Sequence, residues 1–272
     1  MSRTHRSHKY GLSHFAFLDS DPSGTSAVAI PSFAPGKDQS IRLWDLSSNR
    51  FWKVFRSSEN EQTRCLSTHS CEKMFITTSF SGTTSIFDSR EEKPIWVSES
   101  SDANSVSAFS KQHNSPFFAM THPSKKCVSI RDMRSPDTPV HEFSRLSCTV
   151  DELLFYPDGS KILLGSHQMG TVTTLDIPKH KELSMIFVPP IKKSSCSRFN
   201  LSISPCGRYC SISTPSNNVE IWDLHARSKI TSLTGHGGNP LSAFSPIHTL
   251  LATASIPVAL WVPSQHSILD DI

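Results

Sequence analysis

The sequence contains no long uninterrupted apolar segment, no Cys-x-x-Cys pair and no strong excess of charge of one sign. The first absence excludes a membrane-spanning helix, which needs about 20 apolar residues. The second gives no sign of a zinc ribbon or a redox dithiol. The net charge of +3 is too small to indicate nucleic-acid binding by itself. We therefore expect no direct contact with a membrane and no direct binding to nucleic acid.

Motifs that assemble common active sites are also missing. There is no Gly-x-Ser-x-Gly elbow, no phosphate loop ending in Gly-Lys-Ser/Thr and no His-Glu-x-x-His zinc motif. The 13 histidines could supply a triad only through a geometry that the sequence does not give. We therefore predict a chain without catalytic activity that needs no cofactor and no metal. Turnover by the purified chain that a single substitution abolishes would contradict this prediction.

The seven cysteines are odd in number and scattered, which is typical of reduced thiols in a cytosolic or nuclear protein. Residues 1–11 form a basic tail with Arg3, Arg6 and Lys9, and no apolar segment follows at once. The tail therefore does not have the pattern of a secretory signal.

A short strand with a Trp-Asp ending recurs along the chain. Its members share an apolar lead followed by an aromatic residue, an aspartate or both, and these positions are Trp44, Asp45, Phe87, Asp88, Asp132, Asp176, Trp222, Asp223 and Trp261. The successive aspartates are separated by 43, 44, 44 and 47 residues, and the last two tryptophans by 39. A period of about 40–45 residues ending in Trp-Asp is typical of a blade of a WD-repeat propeller.

The sequence thus predicts an all-β fold, a WD-repeat β-propeller over residues 12–263, with six recognisable blades. Five blades have four predicted strands, a to d, and the sixth ends after strand c at residues 258–262. The last strand of the third blade is predicted at residues 140–143. A signature tryptophan is expected to pack between blades, so Trp44→Ala and Trp222→Ala should each destabilise the fold.

Two insertions and several missing residues mark these blades as degenerate. Residues 34–37 and 189–195 lengthen connections, and such loops either contact partners or are simple surface loops. His236 is the only histidine of a Gly-His pair before a strand a, and Asp38 is the only acid in the turn before a signature strand. The buried His–Asp–Ser–Trp network of typical blades should therefore not form in full.

Specific residues near both ends resemble one family. They lie at residues 9–12, 131–135, 155–159 and 250–263, followed by Asp270 and Asp271. Together they resemble the WD repeat-containing protein 82 family, the WD-repeat subunit of COMPASS-type histone methyltransferases. The resemblance covers nearly the whole chain and is sharpest in the closing segment, 250–263. Phe87 and Arg131, each in place of a signature tryptophan, depart from the pattern.

The resemblance implies a nuclear adaptor without activity of its own. Members of the family join a histone H3 lysine methyltransferase at transcribed genes and bind the phosphorylated tail of RNA polymerase II. They also serve in mRNA 3′-end cleavage, in transcription termination and in a phosphatase complex. No short motif carries the phosphate-reading residues, so these cannot be placed on the sequence.

The family fold has seven blades, and the chain is about one blade short before Tyr10. Residues 2–9 contain no β-branched apolar residue, so they are a poor outer strand for the last blade. The tail at residues 264–272 contains one short apolar pair, followed by an acidic pair close to its end. We therefore predict a seven-bladed family fold that lacks its N-terminal blade, with a gap or weak pairing between residues 12–18 and 258–262.

A second hypothesis starts from two arginines. Arg90 and Arg134 each follow the signature aspartate by two residues, in consecutive blades. This resembles the WD-x-Arg box of substrate receptors of cullin–RING ubiquitin ligases, in which the two arginines would contact the ligase adaptor. The alternative is that each arginine only caps the exposed turn between strands c and d.

Overall fold

The computed structural model describes residues 12–18, 25–31, 38–56, 61–98, 102–147, 149–187, 200–214, 216–238, 240–255 and 258–263. Every helix or strand assigned in these residues is a β-strand, and the 23 strands form six small antiparallel sheets. The chain is therefore an all-β, six-bladed β-propeller, which confirms the predicted fold class. The described part of the chain holds no helix that is long and apolar enough to cross a membrane. Two compact units, Met1–Ser147 and Cys148–Ile272, carry three blades each.

The first unit holds blades 1 to 3, each with four antiparallel strands in chain order. Blade 1 consists of β1 (Leu12–Phe17), β2 (Ser26–Pro31), β3 (Ile41–Asp45) and β4 (Arg50–Phe55). Blade 2 consists of β5 (Thr63–Thr68), β6 (Met74–Ser79), β7 (Thr84–Asp88) and β8 (Trp96–Val97). Blade 3 consists of β9 (Ser107–Phe109), β10 (Phe117–His122), β11 (Cys127–Asp132) and β12 (Ser135–Phe143). These strands are strands a to d of their blades.

The second unit holds blades 4 to 6 in the same order. Blade 4 consists of β13 (Glu152–Phe155), β14 (Lys161–Ser166), β15 (Thr171–Asp176) and β16 (Lys181–Phe187). Blade 5 consists of β17 (Leu201–Ile203), β18 (Tyr209–Ser213), β19 (Val219–Asp223) and β20 (Ser228–Leu233). In the described residues blade 6 has three strands, β21 (Leu241–Phe244), β22 (Leu251–Ala254) and β23 (Ala259–Trp261).

Apolar residues fill the spaces between neighbouring blades of the first unit. Leu43, Phe55 and Phe87 belong to one cluster that joins blades 1 and 2, and all three are fully buried. Ile86 and Phe118 belong to a second cluster that joins blades 2 and 3. Successive side chains of a strand point to opposite faces. The neighbours Ile86 and Phe87 therefore serve two different blade junctions, which explains why a strand c is apolar on both faces.

The signature aromatic residues are buried to different degrees. In the second unit, Trp222 packs against the cluster that joins blades 4 and 5 and is only partly buried. Trp44 is 4% exposed, and its ring contacts Phe15 and Phe51 of its own blade, at centroid distances of 6.2 and 5.2 Å. The packing of Trp44 between blades stays a prediction.

Side chains in strand a, or directly before it, bind the edge of strand a in the next blade, an arrangement that the sequence did not reveal. In four cases a side-chain atom accepts the backbone N–H of a residue 42 positions later: Cys65–Ser107, Ser67–Phe109, Asn200–Ser242 and Ser202–Phe244. An exposed strand edge carries unpaired N–H groups that favour unwanted pairing. These bonds satisfy such groups and fix the register of neighbouring blades.

Blade 3 differs most from its predicted form. β12 begins at Ser135, five residues before the predicted start, and its pairing with β11 shifts register on both sides of Arg131. Arg131 Nη1 donates hydrogen bonds to the carbonyl oxygens of Pro136 and Asp137, at 2.7 and 2.9 Å. Arg131 stands in the place of the signature tryptophan, and its N–H groups satisfy carbonyl oxygens at the irregular edge of β12.

Several predictions fall outside the described residues. These are the insertions at 34–37 and 189–195, the tails at 1–11 and 264–272 and the acidic pair Asp270 and Asp271. The expected gap depends on residues 2–9, so the missing seventh blade stays a prediction.

Candidate interaction site

The signature aspartates end strand c and cap the turn into strand d. In four blades an aspartate Oδ1 accepts the backbone N–H two residues later at 2.8 or 2.9 Å: Asp45–Ser47, Asp88–Arg90, Asp132–Arg134 and Asp223–His225. Asp176 accepts the N–H of Lys179 at 2.9 Å. A carboxylate that binds its own backbone two or three residues on stabilises a turn. These aspartates are therefore structural caps.

Arg90 forms a two-pronged ion pair with the aspartate of its own turn. Its Nε donates to Asp88 Oδ1 at 2.9 Å and its Nη2 donates to Oδ2 at 2.6 Å. The hydrogen bonds from Arg90 hold the pKa of Asp88 below its usual value, although burial opposes this, and the same pair raises the pKa of Arg90. The arginine side chain is nevertheless 66% exposed.

Arg134 repeats this arrangement in the next blade. Its Nε and Nη2 donate to Asp132 at 3.0 and 2.6 Å, and its side chain is 77% exposed. The a–b and c–d turns of an antiparallel sheet lie at the same end, and strands a of blades 2 and 3 run side by side in the same direction. Both arginines therefore lie at one end of these two blades, which we call the turn face.

Within its own blade, each arginine helps to cap the turn between strands c and d. The carboxylate also fixes each guanidinium in one orientation while most of the side chain faces solvent. A guanidinium held in advance loses less conformational entropy when it binds a partner. The same ion pair therefore caps the turn and presents an ordered cation, and contact of Arg90 and Arg134 with a partner stays a prediction.

The other signature aspartates use different partners, which sequence spacing did not reveal. Asp223 Oδ2 accepts a hydrogen bond from Nε of Arg208 at 2.9 Å, and Arg208 follows the a–b turn of the same blade. Asp45 is bound by the hydroxyls of Ser47 and Ser48, which lower the pKa of Asp45 to about 2. Among the c–d turns that the structure describes, an arginine that stands two residues after the signature aspartate and binds its carboxylate is therefore found only in blades 2 and 3.

Three histidines of the described residues differ in burial. His69 is 2% exposed, and its Nδ1 accepts the N–H groups of Cys71 and Glu72. Nδ1 is therefore unprotonated, so Nε2–H donates to Ser115 O at 2.9 Å. His122 is buried as well, whereas His248 is exposed.

Blade 6 shows how far the buried signature network forms. Trp261 Nε1 donates to Thr253 Oγ1 at 2.8 Å, and the His236 ring lies 6.2 Å from the Trp261 ring. Nε2 of His236 is buried and has no hydrogen-bond partner among the described residues. The network is therefore partial in blade 6, as predicted from the absence of an acid in the turn before its signature strand.

Glu152 is a half-buried acid in strand a of blade 4, and no sequence motif marks it. Its Oε2 accepts the N–H of Leu201, in strand a of blade 5, at 2.8 Å. Burial raises the pKa of Glu152 from 4.5 to about 8, since a single backbone donor does not offset the lost hydration. Glu152 is therefore mostly protonated at pH 7.

We expect Glu152→Gln to stabilise the protein in alkaline solution. Because the pKa is higher in the folded state, wild-type stability is full below about pH 4.5 and falls as the pH rises to about 8. The amide cannot ionise, so the variant should be more stable above pH 8 by roughly 2 kcal/mol, less than the full shift because Glu152 is only half-buried. Urea unfolding at pH 5 and pH 8.5 measures this difference. The exposed Glu91→Gln is the control, and a gain that does not depend on pH would contradict the assignment.

No three or more His, Cys, Asp or Glu side chains come together as potential metal ligands in the part of the chain that the structure describes. The sequence was compared with models of known families and with curated proteins, and neither comparison found a match.

Proposed function

We propose that the chain is a non-catalytic nuclear scaffold, an adaptor subunit of a COMPASS-type histone H3 lysine methyltransferase complex that acts in transcription. The propeller supports a scaffold role, because rigid repeated blades present many turns to partners without moving. The resemblance of residues 250–263 supports the choice of complex. A further role in mRNA 3′-end processing, transcription termination and the associated phosphatase complex belongs to the same proposal.

The turn face supplies the single observation that carries the scaffold proposal. Arg90 and Arg134 are ordered by bidentate carboxylates and remain 66% and 77% exposed. Guanidinium groups bind carboxylates and phosphates through paired hydrogen bonds. Acidic or phosphorylated segments, including the phosphorylated tail of RNA polymerase II, are therefore suitable partners for this face.

Reconstitution with purified subunits tests the methyltransferase proposal. We expect the chain to co-elute in gel filtration with a methyltransferase catalytic subunit and to have no turnover alone. A phosphorylated polymerase-tail peptide should bind more tightly than the unphosphorylated peptide. Absence of co-elution with methyltransferase and 3′-end processing subunits would contradict the proposal.

A second candidate function is that of a substrate receptor for a cullin–RING ubiquitin ligase. The specific observation in its favour is that Arg90 and Arg134 occupy the same turn position in consecutive blades with the same fork geometry. A receptor would place both arginines against the ligase adaptor.

We expect Arg90→Ala combined with Arg134→Ala to weaken partner binding without unfolding the chain. Both guanidiniums are largely exposed, and each aspartate keeps the backbone N–H of its own turn, so the two substitutions should change the stability of the fold little. A partner that docks on both guanidiniums should lose about tenfold or more in affinity. Binding to the ligase adaptor and to the methyltransferase subunit is measured in parallel.

Arg50→Ala is the matched control, because Arg50 is an exposed arginine that begins strand d of blade 1. Loss of the ligase adaptor alone would establish the receptor function, and loss of the methyltransferase subunit would establish the turn face as its contact. Unchanged affinity for both would show that the arginines only cap their turns.

A further inference from the structure

The a–b turns of blades 2 and 3 are held against each other at the turn face. The bonds between them are Ser70 Oγ to Gln112 O at 3.1 Å, Lys111 Nζ to Thr68 O at 3.1 Å and His69 Nε2 to Ser115 O at 2.9 Å. One turn carries Cys71 and the other carries His113. These bonds fix the backbones of both turns, so the two side chains are held together by the fold.

Cys71 and His113 have the geometry of a nucleophile and its base. The Cys71 Sγ lies 2.8 Å from Nδ1 of His113, and the backbone N–H of Asn114 points to the same sulfur at 3.4 Å. A neutral imidazole accepts the thiol proton, and the imidazolium and the N–H group then both stabilise the thiolate. The thiolate is the reactive form of cysteine.

Cys71 differs in this respect from the other cysteines that the structure describes. Cys127 and Cys210 are buried, and burial raises the pKa of Cys127 to about 11 and that of Cys210 to about 12. Cys65 contacts Ser107, and the exposed Cys206 contacts the Ser204 hydroxyl. The imidazole contact is therefore specific to Cys71 within this set, and both Cys71 and His113 reach solvent.

We propose that Cys71 is a site of covalent modification by small electrophiles and that His113 is the base that takes its proton. The proposed electrophile in the cell is hydrogen peroxide. The thiol proton moves to Nδ1 of His113, and the thiolate attacks one peroxide oxygen. The S–O bond forms as the O–O bond breaks, and the leaving hydroxide takes the proton from the imidazolium as water. The sulfur is oxidised by two electrons to a sulfenic acid, and the peroxide is reduced.

The expected rate gain follows from the thiolate fraction. An ordinary thiol is mostly protonated at pH 7, so a base that takes the thiol proton increases the share of the reactive thiolate. A thiolate stabilised in this way is a weaker nucleophile, so we expect a net gain of about tenfold. The difference in exposure favours the comparison thiol instead, because Cys206 is more exposed than Cys71 and should be reached more easily by a reagent.

Limited alkylation of the folded full-length chain tests the proposal, with iodoacetamide as the probe and peptide mass spectrometry as the readout. Sulfur attacks the methylene carbon and iodide leaves, so the probe needs no oxidant. We expect Cys71 to react about tenfold faster than Cys206 at pH 7, and His113→Gln to remove this advantage. His248→Gln changes an exposed histidine in a turn of blade 6 and should have no effect.

A second arm measures sulfenic acid at Cys71 after brief exposure to hydrogen peroxide, with a dimedone-type trap. Melting curves confirm that each variant is folded. Reaction of Cys71 no faster than Cys206, or a fast reaction that His113→Gln leaves unchanged, would overturn the proposal. Fast alkylation without peroxide oxidation would restrict the site to carbon electrophiles and overturn the peroxide assignment.

Discussion

Substitution of Gly82 by alanine is expected to lower the free energy of unfolding by about 3 kcal/mol or more. Gly82 lies in the turn between strands b and c of blade 2 with a φ of 101°. A Cβ at this position would overlap the backbone of Asp102, in the link to blade 3. The backbone cannot yield as a flexible side chain can, so the turn and the link would both have to move. Urea unfolding monitored by tryptophan fluorescence measures the loss.

Gly235→Ala is the control that separates overlap from backbone strain. Gly235 has a φ of 97°, close to that of Gly82, but a Cβ added there would meet no atom of the described residues within 4 Å. The control should lose only the conformational cost, about 1 kcal/mol. Equal losses for the two variants would show that the close approach of Asp102 does not constrain the fold.

Substitution of Phe87 by alanine is expected to cost about 3–5 kcal/mol, the usual range for a phenylalanine removed from a core. Phe87 is fully buried and stacks on Phe75 with the ring centroids 5.0 Å apart. Phe55 of blade 1 approaches it edge-on at 5.5 Å. The substitution therefore opens a cavity at the junction of two blades, where rigid strands on both sides limit collapse.

Two tryptophan substitutions serve as comparisons for Phe87→Ala. Trp222→Ala should cost less than Phe87→Ala, because Trp222 is only partly buried. Trp52→Ala removes a side chain that is 56% exposed and should change the free energy of unfolding by less than about 1 kcal/mol. Losses that do not follow this order of burial would contradict the packing described for blade 2.

Much of the fold could be predicted, because the residues that define a strand and its turns lie close together in the sequence. Alternating apolar residues, reverse-turn residues and the repeated aspartate define each blade within about 45 residues, so the strands lie close to their predicted positions. The predicted start of β12 was wrong because Arg131 satisfies an irregular edge, and the hydrogen bonds of an arginine leave no periodic pattern. The register placed Phe87 at the position of a signature tryptophan, whereas its full burial was found in the structure.

The sites were harder to predict, because their residues come from different turns. Cys71 and His113 lie 42 residues apart and share no motif, and they meet only because two blades pack side by side. The pair of Arg208 with Asp223 also joins two turns. Arg90 and Arg134 could be found because each binds an aspartate two residues away. Their position could be read from that spacing, whereas their fixed orientation and exposure required the structure.

Affinity purification of the tagged chain from nuclear extract, with quantitative mass spectrometry, tests the central claim most directly. The claim is that this six-bladed propeller is a non-catalytic subunit of nuclear transcription complexes. We predict enrichment of histone H3 lysine methyltransferase subunits together with 3′-end processing or phosphatase subunits, at near-stoichiometric amounts. Recovery of only cytoplasmic partners, or of a cullin–RING ligase adaptor without any methyltransferase subunit, would contradict the account.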